Sequence, residues 1–371
     1  MSHTALLIPT LDRIGGAERQ VVLLAHGLRR RGWRVSVVTL SGTGGVSAAE
    51  LQEQGIGFLS FGFRKGLADP RGWLRFHRWV RCQHPDILHA HLPHAAWLAR
   101  TTRLRARTPA LLDTIHSAAT GGRMRRLLYR LSRGLPDAVT AVSDSAAATH
   151  LCAGMVSEQT LHLIPNGIDF HRFAPDPAAR AALRASLGAG DAFLWLAAGR
   201  LDKVKDYPVL LRALAALPNE HRLLIAGSGP LEADLKALCR AMGVDWRVRF
   251  LGFQPNLERC MQAADGLVLS SAWEGLPLVL LEAAACELPI VATDVPGTRE
   301  AAEYLECVRL VPPRAPAALA AGMQELKLTP PGQLRALGAR GRCKAAQRFD
   351  IEVVMNQWEA LYNRIILGRR F

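Results

Sequence analysis

Short apolar segments alternate with helical segments twice along the chain, and this alternation constrains the fold more than any other feature. In the first half the apolar segments lie at 5–9, 35–40, 86–89, 110–114 and 138–142. In the second half they lie at 194–198, 223–226, 248–251, 267–269 and 290–292. Strands that alternate with helices form parallel sheets covered by helices on both faces. The sequence therefore predicts two doubly wound α/β domains.

Residues 164–169, Ile-Pro-Asn-Gly-Ile-Asp, interrupt the alternation. Asn-Gly and neighbouring prolines indicate a turn and a linker rather than the interior of an element. We therefore expect one domain at 1–168 and a second at 169–354. The last segment carries apolar residues along one helical face, and we expect a helix over 355–371 that packs back on the first domain. Open parallel sheets bind ligands at the carboxyl ends of their strands.

Composition excludes several classes of protein. The chain has 371 residues, of which 49% are hydrophobic and 21% charged, as in ordinary globular proteins. No uncharged apolar run reaches the roughly 18 to 20 residues of a membrane helix, and the N-terminus lacks the features of a signal peptide. We therefore expect a cytoplasmic protein. The seven cysteines are scattered without a Cys-x-x-Cys pair, which argues against zinc or redox chemistry.

Positive charge is concentrated in the first half of the chain. The net charge is +14, and residues 1–180 hold 23 Lys and Arg against 12 Asp and Glu, a net +11. Such asymmetry favours an anionic partner, either a membrane surface or a nucleic acid. The alternative is a composition that is simply rich in arginine.

The best candidate for membrane contact is the segment 121–133. It combines arginines at 123, 125, 126, 130 and 133 with Met124, Leu127, Leu128 and Leu131. The apolar residues recur at helical spacing, and a basic amphipathic helix of this kind lies in an anionic lipid interface. A packed helix with a solvated arginine face is the competing interpretation.

Glu274 and Glu282 are separated by seven residues and follow a buried strand. Pro277 is suited to the first position of a helix, so the free amides of Leu278 and Val279 would face an anion such as phosphate. Carboxylates accept hydrogen bonds from sugar hydroxyls. Two glutamates on the surface of a helix are the alternative explanation of this segment alone.

Two further motifs follow predicted strands. Gly199 allows close backbone approach, and Arg200 and Lys205 place two cations at the edge of the sheet, as a pyrophosphate requires. Gly227 and Gly229 form a Gly-Ser-Gly-Pro turn at the same edge. Each motif by itself is only weak evidence for a ligand site.

In their order along the chain, these motifs resemble the donor half of the retaining nucleotide-sugar glycosyltransferases of GT-B fold, family four. Residues 165–169 resemble the family's interdomain hinge, and Gly15-Gly16-Ala17-Glu18 resembles its glycine loop. The resemblance therefore covers nearly the whole chain. It implies a GT-B fold, in which two doubly wound Rossmann-like domains face each other across a cleft. The first domain would bind the acceptor and the second the nucleotide-sugar donor.

The resemblance also implies roles for individual residues. It assigns donor contacts to Gly15, Gly16, Arg200, Lys205, Gly227, Gly229, Phe253, Glu274, Gly275, Leu278, Val279 and Glu282. Arg200 and Lys205 would neutralise the departing diphosphate, while Glu274 would bind the transferred sugar. Glu282 would hold the ribose. The chain has no Asp-x-Asp motif, so we expect no metal and no other cofactor.

His116, at the end of a predicted strand, corresponds to a histidine that the family places beside the reacting sugar. Many members continue with Asp where this chain has Ser117. We group His116 with Glu274, Arg200 and Lys205 as the catalytic residues. For transfer with retention, the leaving phosphate oxygen would take the acceptor proton, so His116 positions groups and is not an essential base.

The histidines at 89, 91 and 94 are close enough in sequence to suggest a metal site. The cluster contains no cysteine or carboxylate, which argues against metal. The resemblance places it in the acceptor region, and we predict that His91 contacts the acceptor together with His116. A buried or capping histidine is the alternative.

The leading hypothesis is transfer of a sugar, with UDP favoured as the nucleotide, to a glycan or lipid-linked acceptor in cell-surface polysaccharide, lipopolysaccharide or glycolipid assembly. A nucleotide-sugar epimerase has a similar fold and is an alternative. Nucleic-acid binding is a weaker alternative, because the sequence has neither a helix-turn-helix signature nor the residue spacing of a zinc site. We therefore expect no nucleic-acid partner.

Overall fold

The computed structural model describes residues 2–12, 15–63, 69–104 and 109–368. The chain forms two compact units. The first comprises Met1–Gly167 together with Ile351–Phe371, and the second is Ile168–Asp350. The sequence pattern placed these limits at 168 and 354. Each unit contains a parallel sheet with helices on both faces, which confirms the predicted α/β fold class.

The sheet of the first unit has seven parallel strands within the described residues. They are β1 (His3–Ile8), β2 (Arg34–Thr39), β3 (Gly57–Ser60), β4 (Ile87–His91), β5 (Ala110–Ile115), β6 (Ala138–Ala141) and β7 (Leu161–Leu163). Their order is β3-β2-β1-β4-β5-β6-β7. The order reverses between β1 and β4, and ligands of open α/β sheets bind at such a reversal.

Helices α1 to α6 connect these strands. They are α1 (Gly16–Arg30), α2 (Gly45–Glu53), α3 (Pro70–Gln83), α4 (Pro93–Arg100), α5 (Arg123–Leu131) and α6 (Asp144–Cys152). Side chains of β1 alternate between two cores, with Leu6 and Ile8 on the α1 face and Ala5 and Leu7 on the face covered by α3, α4 and α5.

The sheet of the second unit has six parallel strands within the described residues. They are β8 (Phe193–Ala198), β9 (His221–Ala226), β10 (Val248–Gly252), β11 (Gly266–Leu269), β12 (Ile290–Thr293) and β13 (Val308–Val311). Their order is β10-β9-β8-β11-β12-β13, which reverses between β8 and β11. The expected ligand position is therefore the carboxyl end of these two strands.

Eight helices belong to this unit in the part of the chain that the structure describes. They are α7 (Pro177–Leu187), α8 (Tyr207–Ala215), α9 (Glu232–Ala241), α10 (Leu257–Ala263), α11 (Leu278–Ala285), α12 (Pro296–Leu305), α13 (Pro316–Leu328) and α14 (Pro331–Phe349). Alternate side chains of β8 again enter two cores. Leu194 and Leu196 pack with α10 and α11, whereas Trp195 packs with α8 and α13.

The final helix, α15 (Ile351–Gly368), belongs to the first unit. Its Met355 packs against α1 at Gly27, where a Cβ atom would lie 2.5 Å from the Met355 sulfur. Arg31, the C-cap residue that follows α1, binds Glu352 and Glu359 of α15 at 2.8 and 3.2 Å. Apolar packing and paired charges thus hold α15 against α1.

Candidate active site

The loops that follow β8 and β11 are tied to each other at the reversal of the second sheet. The backbone N–H of Ala272 donates to the Val204 carbonyl at 2.8 Å, and the Ser270 hydroxyl donates to the Lys205 carbonyl at 2.8 Å. These bonds fix the two loops to each other. As a result, Lys205 and Glu274, which are distant in sequence, are brought into contact.

Lys205 and Glu274 form a largely buried ion pair. Lys205 Nζ donates to Glu274 Oε1 at 2.5 Å, and the Ser271 hydroxyl donates to the same oxygen at 2.6 Å. Ser271 itself is fully buried. An ammonium has three donors and a carboxylate about four acceptor positions, so both groups retain capacity for a ligand.

Arg200 is an exposed cation at this edge. Its side chain is 68% exposed, and its Nε lies 3.8 Å from a carboxylate oxygen of Asp202. Exposed ion pairs of this kind contribute little, so the guanidinium is available to an anionic ligand.

The glycines of the two turns allow backbone to pack directly on backbone. Gly227 has a φ of +147°, and a Cβ atom there would lie 1.9 Å from the Gly199 carbonyl oxygen. A Cβ at Gly229 would lie 2.3 Å from the Leu201 carbonyl oxygen. Only glycine fits these positions, so the turns after β8 and β9 form one continuous backbone surface.

Helix α11 follows the loop that carries Glu274. It starts at Leu278, and Pro277 is the preceding N-cap residue, with an extended ψ of 111°. The sequence-based expectation that Pro277 is the first helical residue was therefore wrong by one position, because its ψ is not helical. Pro277 makes no side-chain hydrogen bond to the first turn, to which the amides of Leu278 and Val279 belong. Glu282 is buried on the same helix.

The Glu274–Gly275 backbone is also closely packed. A Cβ at Gly297, in the first turn of α12, would lie 1.9 Å from the Gly275 carbonyl oxygen. The Thr293 hydroxyl donates to the Ser271 carbonyl at 2.6 Å. The loop that carries Glu274 is thus held by β12 and α12 as well as by the loop after β8.

Three residues at this edge were not singled out from the sequence. Ser271 binds Glu274, and the hydroxyl of buried Tyr207 donates to the Gly199 carbonyl at 3.2 Å. Burial raises the pKa of Tyr207, so it remains a hydrogen-bond donor. Trp273 lies partly exposed beside Glu274. The predicted donor residue Phe253 is also exposed, just beyond β10.

In the first unit, the predicted glycine loop includes the start of α1. Gly16 is the first residue of that helix and Gly15 is its N-cap. The Gly15 amide donates to Glu18 Oε2 at 3.0 Å. Residues 13 and 14, which precede the glycines, lie outside the described residues.

His91 and His116 lie at the carboxyl ends of β4 and β5 and contact each other. The distance between His91 Nδ1 and His116 Nε2 is 3.0 Å. His91 is 2% exposed, and His116 is partly exposed. Within the described part of the chain, the remaining ring nitrogens, His91 Nε2 and His116 Nδ1, are buried without a hydrogen-bond partner.

A third histidine supports this pair from inside the sheet. His89 is fully buried, and its ring centroid lies 4.0 Å from that of His91. Its Nε2 is 2.6 Å from the Thr114 hydroxyl, and its Nδ1 is 2.6 Å from the Tyr362 hydroxyl. The ring is therefore fixed from both sides, and it was not predicted as a site residue.

Burial lowers the pKa of all three histidines. The pKa of His116 falls to about 4, and those of His89 and His91 lie well below the ordinary value. Desolvation is the main cause in each case. The cluster is therefore neutral near pH 7, and a ring with the pKa of His116 is a weak base.

His91 and His116 line a cavity of about 20 Å³ in the first unit. Gln20, Thr114 and Asn166 contribute polar groups to its wall, and Trp358 and Met355 of α15 contribute apolar surface. A space of this size accommodates one small polar group, such as a water or a hydroxyl.

The described residues contain no group of three or more His, Cys, Asp or Glu side chains arranged to hold a metal ion. In the described ranges, none of the helices combines the length and the apolarity that crossing a membrane requires.

Helix α5 presents an exposed apolar face. Met124, Leu127 and Leu131 are 67%, 50% and 77% exposed. Tyr129 on the opposite face is buried, and the Arg100 guanidinium lies 4.3 Å from the centre of its ring. The helix is thus anchored by one face, while three large apolar residues, together with Arg123 and Arg130, are exposed to solvent.

The comparisons with known proteins agree on one family. Residues 180–343 match the family described as Glycosyl transferases group 1, and residues 14–172 match Glycosyltransferase Family 4. The putative glycosyltransferase EpsD of Bacillus subtilis (strain 168) is 31% identical over 294 residues, which are 75% of this chain and 76% of that protein.

Other relatives and solved structures match this chain over different fractions of their own length. An Escherichia coli UDP-Gal:alpha-D-GlcNAc-diphosphoundecaprenol alpha-1,3-galactosyltransferase is 26% identical over 62% of this chain and 63% of its own. Matches to three relatives span only 38 to 63% of their lengths. The crystal structure of Anabaena HepE in complex with UDP and glucose has a TM-score of 0.85, with 22% identity over 97% of this chain and 99% of that one. This likeness confirms the predicted GT-B fold class.

Proposed function

Because this chain belongs to the family-four glycosyltransferases, we propose that it transfers a sugar from a nucleoside diphosphate sugar to a glycan or lipid-linked acceptor. The donor is a UDP-sugar, the configuration at the anomeric carbon is retained, and no metal takes part. The product enters a cell-surface polysaccharide, lipopolysaccharide or glycolipid.

The observation that carries this proposal is that one edge of the second sheet carries the Lys205–Glu274 ion pair, exposed Arg200 and the first turn of α11. Two cations and free amides together suit a diphosphate, and the carboxylate suits the hydroxyls of an adjoining sugar. The cations and amides would therefore bind the diphosphate of a nucleotide-sugar, and the carboxylate would bind its sugar, at the same edge of the sheet.

Charge develops on the diphosphate when the bond from the anomeric carbon to the phosphate oxygen breaks. Lys205, Arg200 and the α11 amides stabilise that charge, and groups already in place do so without reorganisation. The acceptor hydroxyl oxygen forms the new bond on the face that the diphosphate leaves. Its proton passes to the departing phosphate oxygen, so the products are the glycoside and the nucleoside diphosphate.

His116 takes no proton in this scheme. Burial lowers its pKa to about 4, so the ring is a weak base, and its hydrogen bond to His91 fixes its orientation. Its role is to hold an oxygen of the substrate. Glu274, which is already bonded to Lys205 and Ser271, binds sugar hydroxyls through its remaining acceptor positions.

The names of the relatives support the choice of donor and acceptor. The Escherichia coli galactosyltransferase is named for UDP-Gal and a diphosphoundecaprenol acceptor, and the HepE crystal contains UDP and glucose. A polyprenyl-linked acceptor resides in a membrane, so the enzyme would work at the inner face of the cytoplasmic membrane. The exposed apolar residues and arginines of α5 suit contact with anionic lipid.

The proposal is tested by incubating the purified protein with single UDP-sugars, in EDTA, with and without polyprenyl-diphosphate-linked sugars. We expect transfer only when acceptor is present, and NMR of the product should show the anomeric configuration of the donor. Release of an epimer or of free sugar without acceptor would favour the epimerase instead. Transfer that requires added metal would contradict the metal-free mechanism.

The Glu274→Gln variant tests the role of the carboxylate. It removes the charge of the carboxylate but keeps its shape, so we expect transfer to fall strongly while the fold is retained. Unchanged transfer by this variant would contradict the role assigned to Glu274.

A further inference from the structure

The carboxylate of Glu274 is bound asymmetrically. Its Oε1 accepts two hydrogen bonds, from Lys205 Nζ at 2.5 Å and from the Ser271 hydroxyl at 2.6 Å. In the described part of the chain no group donates to Oε2, and this atom is not among the unpaired side-chain atoms that are buried. The side chain of Glu274 is 11% exposed. Oε2 is therefore the oxygen that solvent or a ligand reaches.

Both donors to Oε1 are held in place independently of the carboxylate. Ser271 is fully buried, and its carbonyl accepts from the Thr293 hydroxyl of β12 at 2.6 Å. The stem of Lys205 crosses Gly199, where a Cβ atom would lie 3.0 Å from Lys205 Cε. Glycine at this position thus leaves room for the stem. The two donors therefore fix the side chain of Glu274 in one orientation, with Oε1 turned into the protein.

We propose that Ser271 is a positioning residue: together with Lys205 it occupies Oε1 of Glu274, so that Oε2 alone meets the substrate. An ionised carboxylate oxygen accepts hydrogen bonds and donates none. The group that binds there must donate, so it is a free hydroxyl or an N–H of the transferred sugar, and a fluorine or an ether at this position is excluded. This requirement rests on the proposed function, whereas the orientation of Glu274 does not.

Ser270 provides a matched comparison for Ser271. The two serines are adjacent and buried, and each hydroxyl donates one hydrogen bond. Ser270 donates to the backbone carbonyl of Lys205 at 2.8 Å. Ser270→Ala therefore removes a bond between two loops, whereas Ser271→Ala removes a bond to the carboxylate itself. A general loosening of the loops would affect both variants in the same way.

Double-variant cycles test the contact without any ligand. Urea unfolding is compared for Ser271→Ala, Glu274→Ala and the variant with both changes. We expect the double variant to lose less stability than the sum of the two single variants, because each single change already breaks the same hydrogen bond. The cycle of Ser270→Ala with Glu274→Ala should be closer to additive. Equal coupling in the two cycles, or additive losses in the Ser271 cycle, would overturn the proposal.

Calorimetric titration in EDTA with UDP, UDP-glucose and UDP-galactose tests the effect on sugar recognition. UDP lacks the transferred sugar, so its affinity does not depend on the group that Oε2 accepts from. We expect Ser271→Ala to weaken binding of the UDP-sugars about fivefold more than binding of UDP, the usual worth of one hydrogen bond. Ser270→Ala should weaken binding of all ligands by the same factor. Equal weakening of UDP and UDP-sugars by Ser271→Ala would overturn the positioning role.

The polarity of the outward atom is tested with Glu274→Gln. The amide oxygen of Gln accepts from Lys205 and Ser271, so its NH₂ group replaces Oε2 and donates where the carboxylate accepts. The probes are analogues of the more tightly bound of the two UDP-sugars, with fluorine in place of the 3-, 4- or 6-hydroxyl. We expect one analogue to bind the wild-type protein about tenfold more weakly than its parent, and about threefold more weakly or less in the variant.

Two outcomes separate this inference from the proposed function. If the wild-type protein bound all three fluorinated analogues as tightly as their parent, the requirement for a donor at Oε2 would be overturned, while the donor site itself would stand. If it bound neither UDP-sugar, the proposed donor and the role of Ser271 toward the sugar would both be refuted. The unfolding cycles would still decide the contact between Ser271 and Glu274.

Discussion

The carboxyl edges of the two sheets have the same topology but opposite chemistry. The edge of the second unit holds Lys205, Glu274 and exposed Arg200 around turns of glycine. The edge of the first unit holds neutral His91 and His116, of which His91 is buried and His116 is partly exposed. One edge therefore suits a charged ligand, and the other suits hydroxyl groups.

In the proposed reaction, this difference divides the work between the two sheets. A diphosphate needs cations and amides that are in place before it binds, and the second sheet would supply them on short loops. An acceptor hydroxyl needs hydrogen-bonding groups without net charge, and the first sheet would supply them where β4 and β5 end.

The largest effect should come from the glycine turns of the second unit. Gly227→Ala would place a Cβ atom 1.9 Å from the Gly199 carbonyl oxygen at a φ of +147°, so the turns must separate. We expect a loss of about 3 kcal/mol or more in the free energy of unfolding, measured by urea denaturation. Gly332→Ala, in α14 where nothing lies within 4 Å, should be neutral or stabilising. Similar losses in both variants would contradict the packing argument.

Lowering the pH should reduce the free energy of unfolding, because the histidines at the edge of the first sheet are neutral in the folded protein. His116 has a pKa of about 4 when folded and 6.5 as an ordinary histidine, so between these values the unfolded chain binds the extra proton. Stability therefore falls as the pH is lowered through this window, by about 3 kcal/mol for His116.

The measurement compares urea unfolding at pH 6.5 and pH 4 for the wild-type protein and His116→Gln. Because other groups also titrate, the informative quantity is the difference between the two proteins, and the variant should lose less stability. The exposed His171→Gln serves as a control and should behave like wild type. Identical acid sensitivity of wild type and His116→Gln would contradict a His116 that desolvation keeps neutral in the folded protein.

Lys205→Ala should weaken binding of a nucleoside diphosphate by about 1.5 to 3 kcal/mol, because it removes a charge-assisted contact. Lys203→Ala removes an exposed lysine from the same loop and should change the affinity by less than about twofold. Calorimetric titration with UDP measures both. Equal effects of the two substitutions would mean that general positive charge, rather than the Lys205 position, holds the ligand.

The smallest effect concerns the surface of the first unit. Leu131→Ser on α5 should weaken binding to anionic phospholipid vesicles by about 1 kcal/mol, or roughly fivefold. Leu328→Ser removes a similarly exposed leucine from the second unit and is the matched control. Vesicle sedimentation measures both. If Leu328→Ser weakened binding as much as Leu131→Ser, the membrane surface would not be α5.

The residues at the carboxyl edge of the second unit's sheet were easier to predict from the sequence than those at the edge of the first unit's sheet. Gly199, Arg200 and Lys205 form one short string after a strand, and the carboxyl ends of parallel strands meet at one edge. The support of Glu274 by Ser271 was missed, although the two residues are only three apart, because serine in a loop has many other roles.

The histidine cluster of the first unit depends on contacts that no local pattern contains. His89 binds Tyr362, which is 273 residues away in the sequence. Short strands were also missed: β3, β7 and β13 are edge strands of three or four residues, and their partial exposure weakens the apolar pattern. Local motifs therefore indicated the residues that we predict to bind the donor, whereas the contacts that support the histidine cluster could be seen only in the structure.

The proposed function depends above all on binding of a nucleoside diphosphate donor by the second unit, through fixed cations and carboxylates and without metal. The most direct test is calorimetric titration of the protein with UDP, GDP and ADP in the presence of EDTA, together with the Glu282→Ala variant. We predict that UDP binds with micromolar affinity, corresponding to about 8 kcal/mol, and that the variant loses this binding. Failure of all three nucleotides to bind, or equal binding by the variant, would contradict a donor site in the second unit.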